Sequence, residues 1–149
     1  MTEPLGLTWE MAREGGEVAP LDVEVSLTEV VRFLGATWNF VRIFYEPVFA
    51  RAQGLEGTII PGPLKLSLLS RTLGEWLGGA GEVRTIRRAC RLPDRPGLPR
   101  CRGTVLRRYE QDGERRLDCQ VWIENIGGER SVSGAATLRL APRGLSAED

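Results

Sequence analysis

Pro63 to Leu77 reads P-L-K-L-S-L-L-S-R-T-L-G-E-W-L, and the fold turns on what this stretch is. At about 100° per residue, Leu66, Leu69, Leu73, Trp76 and Leu77 fall on one stripe roughly 100° wide, which predicts an α-helix. Lys65, Arg71, Thr72 and Glu75 collect on the opposite face. Leu64 and Leu68 lie outside the stripe, so the helix is expected to be covered on most sides. Gly62-Pro63 marks its start, with proline in the first turn where a missing N–H costs nothing. The free N–H groups of that turn form an electropositive spot able to hold a carbonyl or phosphate oxygen, or serve as plain helix punctuation. Gly78-Gly79 ends the helix.

Working outward, everything after Gly79 is strand-like. Glu82–Leu92 and Arg100–Tyr109 are the first two runs, separated by the turn P-D-R-P-G, and Asp112-Gly113 opens a third. In that third run Leu117, Cys119, Val121 and Ile123 alternate with Asp118, Gln120, Trp122 and Glu124. Gly127-Gly128 turns the chain into a last strand, with Val132, Gly134, Ala136, Leu138 and Leu140 on one face. A meander with one apolar face needs a cover, and the 63–77 helix is apolar enough to supply it. The expected class is therefore α+β, an antiparallel sheet wrapped around one long central helix. Upstream, Val18–Val25 reads as a strand. Ser26-Leu27-Thr28-Glu29 is a capping box opening a short helix that ends at Gly35. Trp38, Phe40, Phe44 and Tyr45 crowd an aperiodic loop around Arg42, and a second short helix runs from Glu46 to Ala52.

Composition narrows the chemistry. The 149 residues suit a single domain, expected over 1–141, with a polar, disordered tail at 142–149. No apolar run reaches membrane-spanning length and the N-terminus lacks a signal peptide, so the expected setting is cytoplasmic, with no membrane partner. Net charge is zero, which argues against a nucleic-acid partner. Cys90, Cys101 and Cys119 match no zinc or redox spacing and read as reduced strand residues. All but one of the 20 basic residues are arginine, and histidine is absent. That absence removes every Ser-His, Cys-His and Asp-His arrangement within the chain, leaving carboxylates, Tyr, Cys, Ser, Arg and backbone groups.

The wording of the chain resembles the MaoC-like hydratase/dehydratases, which have the hot-dog fold. L-T-W-E-x-x-x-x-G-x-E-V-x-P-L near the N-terminus, Y-E-P-V-F-A-R-A-Q-G from Tyr45, and I-I-P-G-P-L-K-L-S-L-L-S-R-T-L-G-E-W-L from Ile59 carry the resemblance over nearly the whole chain. It implies an acyl chain carried as a thioester on coenzyme A or acyl carrier protein, no cofactor, and two hot-dog units whose sheets join so that the acyl tunnel runs between protomers. A hetero-oligomer is the favoured pairing, with a homodimer as the other form.

The resemblance also exposes a departure. The family's loop carries an aspartate and, five residues on, a histidine, the base and acid that add water across an enoyl double bond. Aligned on Y-E-P, those positions are Asn39 and Phe44, and a further histidine position is Pro61. An amide does not exchange a proton near neutrality, and a phenyl ring has none to exchange. Gly62 matches the glycine whose N–H polarises the thioester carbonyl, and Ser70, with Ser67 near it, matches a polar helix residue facing substrate. Glu46, Tyr45 and Glu75 are candidate replacements for the lost groups, and Arg42 a candidate thioester donor; helix opening, amphipathic packing and surface pairing are their alternative uses. The arginines between Arg84 and Arg108 either meet phosphates of the carrier or solvate strand faces. Three readings remain open: a subunit non-catalytic by itself that pairs with a catalytic hot-dog partner, a pure acyl-CoA-binding module, and a dehydratase or thioesterase with relocated acid and base.

Overall fold

The computed structural model of the chain describes residues 6–142, so the expected tail lies outside the described residues except for Pro142. Its elements are β1 (Glu17–Asp22), α1 (Leu27–Ala36), a 3-10 turn (Arg42–Phe44), α2 (Pro47–Ala52), α3 (Gly62–Leu77), β2 (Gly81–Cys90), β3 (Arg100–Gln111), β4 (Glu114–Glu124) and β5 (Arg130–Leu140). The five strands form one antiparallel sheet in the order β1-β3-β4-β5-β2. The hairpin between β3 and β4 closes on Asp112 and Gly113, at φ 54° and 75°, the left-handed pair that a two-residue turn requires.

Alternation along the strands builds the core. Leu117, Cys119, Val121 and Ile123 of β4 and Val132, Ala136, Leu138 and Leu140 of β5 are buried in one cluster with Leu69, Leu73 and Leu77 of α3. Burying such side chains contributes about 1.5–3 kcal/mol each, and the sheet curls around α3 to collect that gain. The helix starts with Pro61 as N-cap and Pro63 in its first turn, and stops on Gly78 at φ 55°. Ser26 caps α1 by accepting from the Glu29 N–H, and Glu29 reaches back to its hydroxyl.

Four expectations are corrected. The inward face of α3 is Lys65, Leu68, Leu69, Thr72, Leu73 and Leu77, so Lys65, Thr72 and Leu68 move inside. Thr72 satisfies its hydroxyl on Leu68 O at 2.8 Å, and Lys65 finds a buried carboxylate described below. In the single chain α3 is covered on one side only, since Ser67, Arg71, Gly74 and Glu75 are exposed. Strand β1 ends at Asp22 rather than Val25, with a bulge between Val18 and Leu21; Val25 makes an isolated bridge to Gly97 instead. Helix α1 runs past Gly35 to Ala36. Among the described residues no helix is long and apolar enough to cross a membrane.

Candidate functional site

The aromatic loop and the head of α3 are neighbours. Ile59 N donates to Ile43 O at 3.4 Å, tying the segment that enters α3 to the 3-10 turn, and Phe44, Tyr45 and Ile60 join the same core cluster. Asn39 closes the preceding bend: its N–H donates to Leu34 O at 2.9 Å and its Oδ1 accepts from Val41 N at 3.4 Å. Trp38, at φ 54° and 83 % exposed, meets Phe40 edge-on at 5.2 Å.

Arg42 and Glu46 hold each other. The Arg42 Nε lies 3.0 Å from both Glu46 oxygens and Nη2 2.8 Å from Oε2, while the guanidinium covers the Phe49 ring at 4.3 Å. That hydrogen-bonded guanidinium keeps the Glu46 carboxyl below the usual glutamate range. Glu46 is thus ionised at neutral pH and a weakened base, and Arg42 spends its Nε and one Nη2 donor on it. Glu46 is the N-cap of α2 without a side-chain cap bond. The Tyr45 hydroxyl donates to Phe40 O at 3.4 Å. On α3, Ser67 donates to Pro63 O at 3.1 Å, Ser70 is half-buried with no hydrogen-bond partner among the described residues, and Glu75 pairs with Arg71 at 2.6 Å on the exposed face.

Gly62 is the first residue of α3, and a guanidinium lies on it. A Cβ built on Gly62 would stand 2.9 Å from Arg88 Nη2 and 3.3 Å from its Cζ. Arg88 comes from β2, where Ile86, Arg88 and Cys90 alternate onto the helix side opposite Ala136, Gly134 and Val132. Its Nη1 donates to Cys90 Sγ at 3.1 Å, and its Nε is buried without a partner. A cation beside a helix N-terminus opposes the helix dipole, so this corner favours an oxygen-rich or anionic occupant. In the sequence Arg88 is one arginine among many; only the strand register brings it to Gly62.

Reasoning from sequence also missed a buried network at the first turns of α3. Lys65 Nζ lies 2.7 Å from Asp94 Oδ2 and donates to Leu92 O at 3.1 Å, and the Ser131 hydroxyl donates to the same Asp94 oxygen at 2.6 Å. Four clefts are described on the single chain, and none is lined by Asn39, Phe44, Tyr45, Glu46, Gly62, Ser67, Ser70 or Arg42.

All three cysteines are free thiols in strands. Burial pushes the Cys101 thiol up to about 11 and the Cys119 thiol up to about 12. The thiolate is the reactive form, so both are expected to resist alkylation in the native state near pH 8 while exposed Cys90 reacts. Intact-mass analysis after iodoacetamide should show one adduct natively and three after unfolding.

No family model matches the chain, and no curated protein matches it by sequence. Solved structures do. The (R)-hydratase from A. caviae involved in PHA biosynthesis superposes with TM-score 0.78 at 24 % identity, covering 87 % of this chain and 97 % of that one. The MaoC-like dehydratase from Rhodospirillum rubrum gives 0.80 at 19 %, covering 94 % and 100 %. The ChsH1-ChsH2 complex from Mycobacterium tuberculosis gives 0.76 at 20 %, covering 88 % and 100 %. At these identities the likeness is one of fold. The chain has the α+β hot-dog fold, the architecture of these hydratases and MaoC-like dehydratases.

Proposed function

We propose that this chain is a MaoC-like subunit of an acyl-thioester hydratase or dehydratase, non-catalytic by itself, that completes its acyl site with a second hot-dog subunit carrying the acid and base. The observation that carries the reading is the combination of a full hot-dog scaffold with Asn39 and Phe44 in a loop hydrogen-bonded to the segment entering α3. Asn39 spends its amide on closing a bend and Phe44 packs into the core, so neither handles a proton. A single sheet and helix give a tunnel only one wall. Among the neighbours the ChsH1-ChsH2 structure is a complex of two named components. In this reading the thioester carbonyl of a CoA- or carrier-protein-bound acyl chain sits at Gly62 and Arg88, with Ser70 turned towards the partner, in the cytoplasm.

Calorimetry with a saturated acyl-CoA on the assembled pair tests it. Binding is expected, and Gly62→Ala, whose new methyl displaces the Arg88 guanidinium, should weaken it about 10- to 150-fold through the loss of a charged hydrogen bond worth about 1.5–3 kcal/mol. No binding by the assembled pair would discard the reading.

A further inference from the structure

One guanidinium joins the head of α3 to a thiol. Arg88 Nη2 lies 2.9 Å, and Nη1 3.3 Å, from the point where a Cβ on Gly62 would stand. The same Nη1 donates to Cys90 Sγ at 3.1 Å. Cys90 stands two residues along β2 from Arg88, on the same side of the strand, and is exposed where Cys101 and Cys119 are buried. Of the five N–H groups of this guanidinium the thiol takes one, and the Nε is buried with no partner. So sparsely matched a cation, set on a helix head, calls for an acceptor oxygen that the described residues do not supply.

We propose that Cys90 is a covalent site for α,β-unsaturated acyl thioesters, its sulfur adding to C3 of an enoyl chain whose C1 oxygen is held by Arg88 and the Gly62 N–H. The inference rests on the function proposed above in placing the thioester carbonyl there. A carbonyl oxygen on Nη2 and the sulfur on Nη1 sit at neighbouring corners of one planar fork. C3 is only two bonds from the carbonyl carbon, so holding the carbonyl brings C3 within reach of the sulfur. The Sγ–C3 bond forms as the C2=C3 π bond breaks, and the electron pair moves to the carbonyl oxygen as an enolate, which the guanidinium and the helix N-terminus stabilise. The thiol gives its proton to water and C2 takes one from water. Thiol and enoyl thioester thus sum to one thioether with the carrier still attached; nothing is oxidised or released. Water needs a base to add at C3, and Asn39 and Phe44 provide none, whereas a thiolate is itself the nucleophile. One equivalent is consumed per chain, so the reaction gives no turnover.

The test incubates the isolated chain with trans-2-butenoyl-CoA and, in parallel, with butanoyl-CoA, and reads intact mass and peptide maps. The expected result is a gain of one whole enoyl-CoA on Cys90, with none from the saturated thioester and none in Cys90→Ser. Its second-order rate should exceed that of free glutathione at the same pH by at least about tenfold. Arg88→Gln should slow the adduct at least about tenfold more than it slows iodoacetamide alkylation of Cys90, a reaction that forms no enolate. No adduct, an adduct no faster than that of glutathione, or an Arg88→Gln variant slowed equally towards both reagents overturns the proposal. So does a gain of the acyl group alone, the mark of acyl transfer with release of coenzyme A. If Arg88→Gln misfolds by circular dichroism, the glutathione comparison on the wild type decides. Saturated acyl-CoA bound by the assembled pair, with no enoyl adduct on this chain, would remove the covalent site and leave the functional reading standing.

Discussion

Asp94→Ala is expected to destabilise the chain by about 3–5 kcal/mol, the usual cost of stranding a buried charge. Lys65 and Asp94 are each 3 % exposed, and the Lys65 ammonium has Asp94 Oδ2 and Leu92 O as its partners. Removing the carboxylate leaves a cation in the core with one carbonyl, and leaves the Ser131 hydroxyl only the longer contact to Ile123 O at 3.4 Å. A typical domain is stable by about 5–15 kcal/mol, so the variant sits near the edge of folding. Urea unfolding checks the value. Adding Lys65→Met, which removes the stranded ammonium and keeps an apolar stem, should return most of the loss; a double variant no better than Asp94→Ala would show that the pair is not the cause. The same network fixes where α3 begins, because Asp94 O also accepts from Ile60 N at 2.7 Å, two residues ahead of Gly62.

In the complex proposed above, replacing the general acid or base assigned to the partner should cost about 10²–10⁴-fold in turnover each, the contribution that positioned acid–base groups make. Asn39→Ala and Phe44→Leu in this chain should leave turnover within a few-fold, since neither side chain moves a proton. Glu46→Gln is a sharper control. Its carboxylate is clamped by Arg42, which lowers its basicity, so its loss is expected to act through the loop and not through a pH-dependent step. Steady-state hydration of a trans-2-enoyl-CoA across pH 5–9 reads all of these; a fall of two orders of magnitude for Glu46→Gln, with an altered acid limb, would make Glu46 the relocated base.

Strand pattern was the most legible part of the sequence. From Leu117 to Ile123 of β4 every second residue is apolar, and Leu117, Cys119, Val121 and Ile123 are all buried. Such alternation is set by the pleat alone and needs no knowledge of the rest of the chain. Helix α3 was legible as a helix but not as a surface. Local hydropathy sends Lys65 to solvent, whereas the carboxylate that neutralises it arrives from the loop between β2 and β3. Strand β1 was overextended because Val23 and Val25 keep the alternation after the pairing has ended at Asp22. At the candidate site, Asn39 and Phe44 were visible as substitutions in a motif, but Arg88 was not, since its contact with Gly62 depends on the register of β2 against β5.

The most direct test of the central claim, an acyl-thioester scaffold emptied of its own proton-handling groups, is the hydration of a trans-2-enoyl-CoA by the isolated chain, followed by loss of the enoyl absorbance. The account predicts no rate above the uncatalysed background at any pH from 5 to 9. Robust turnover by the purified chain alone would contradict it.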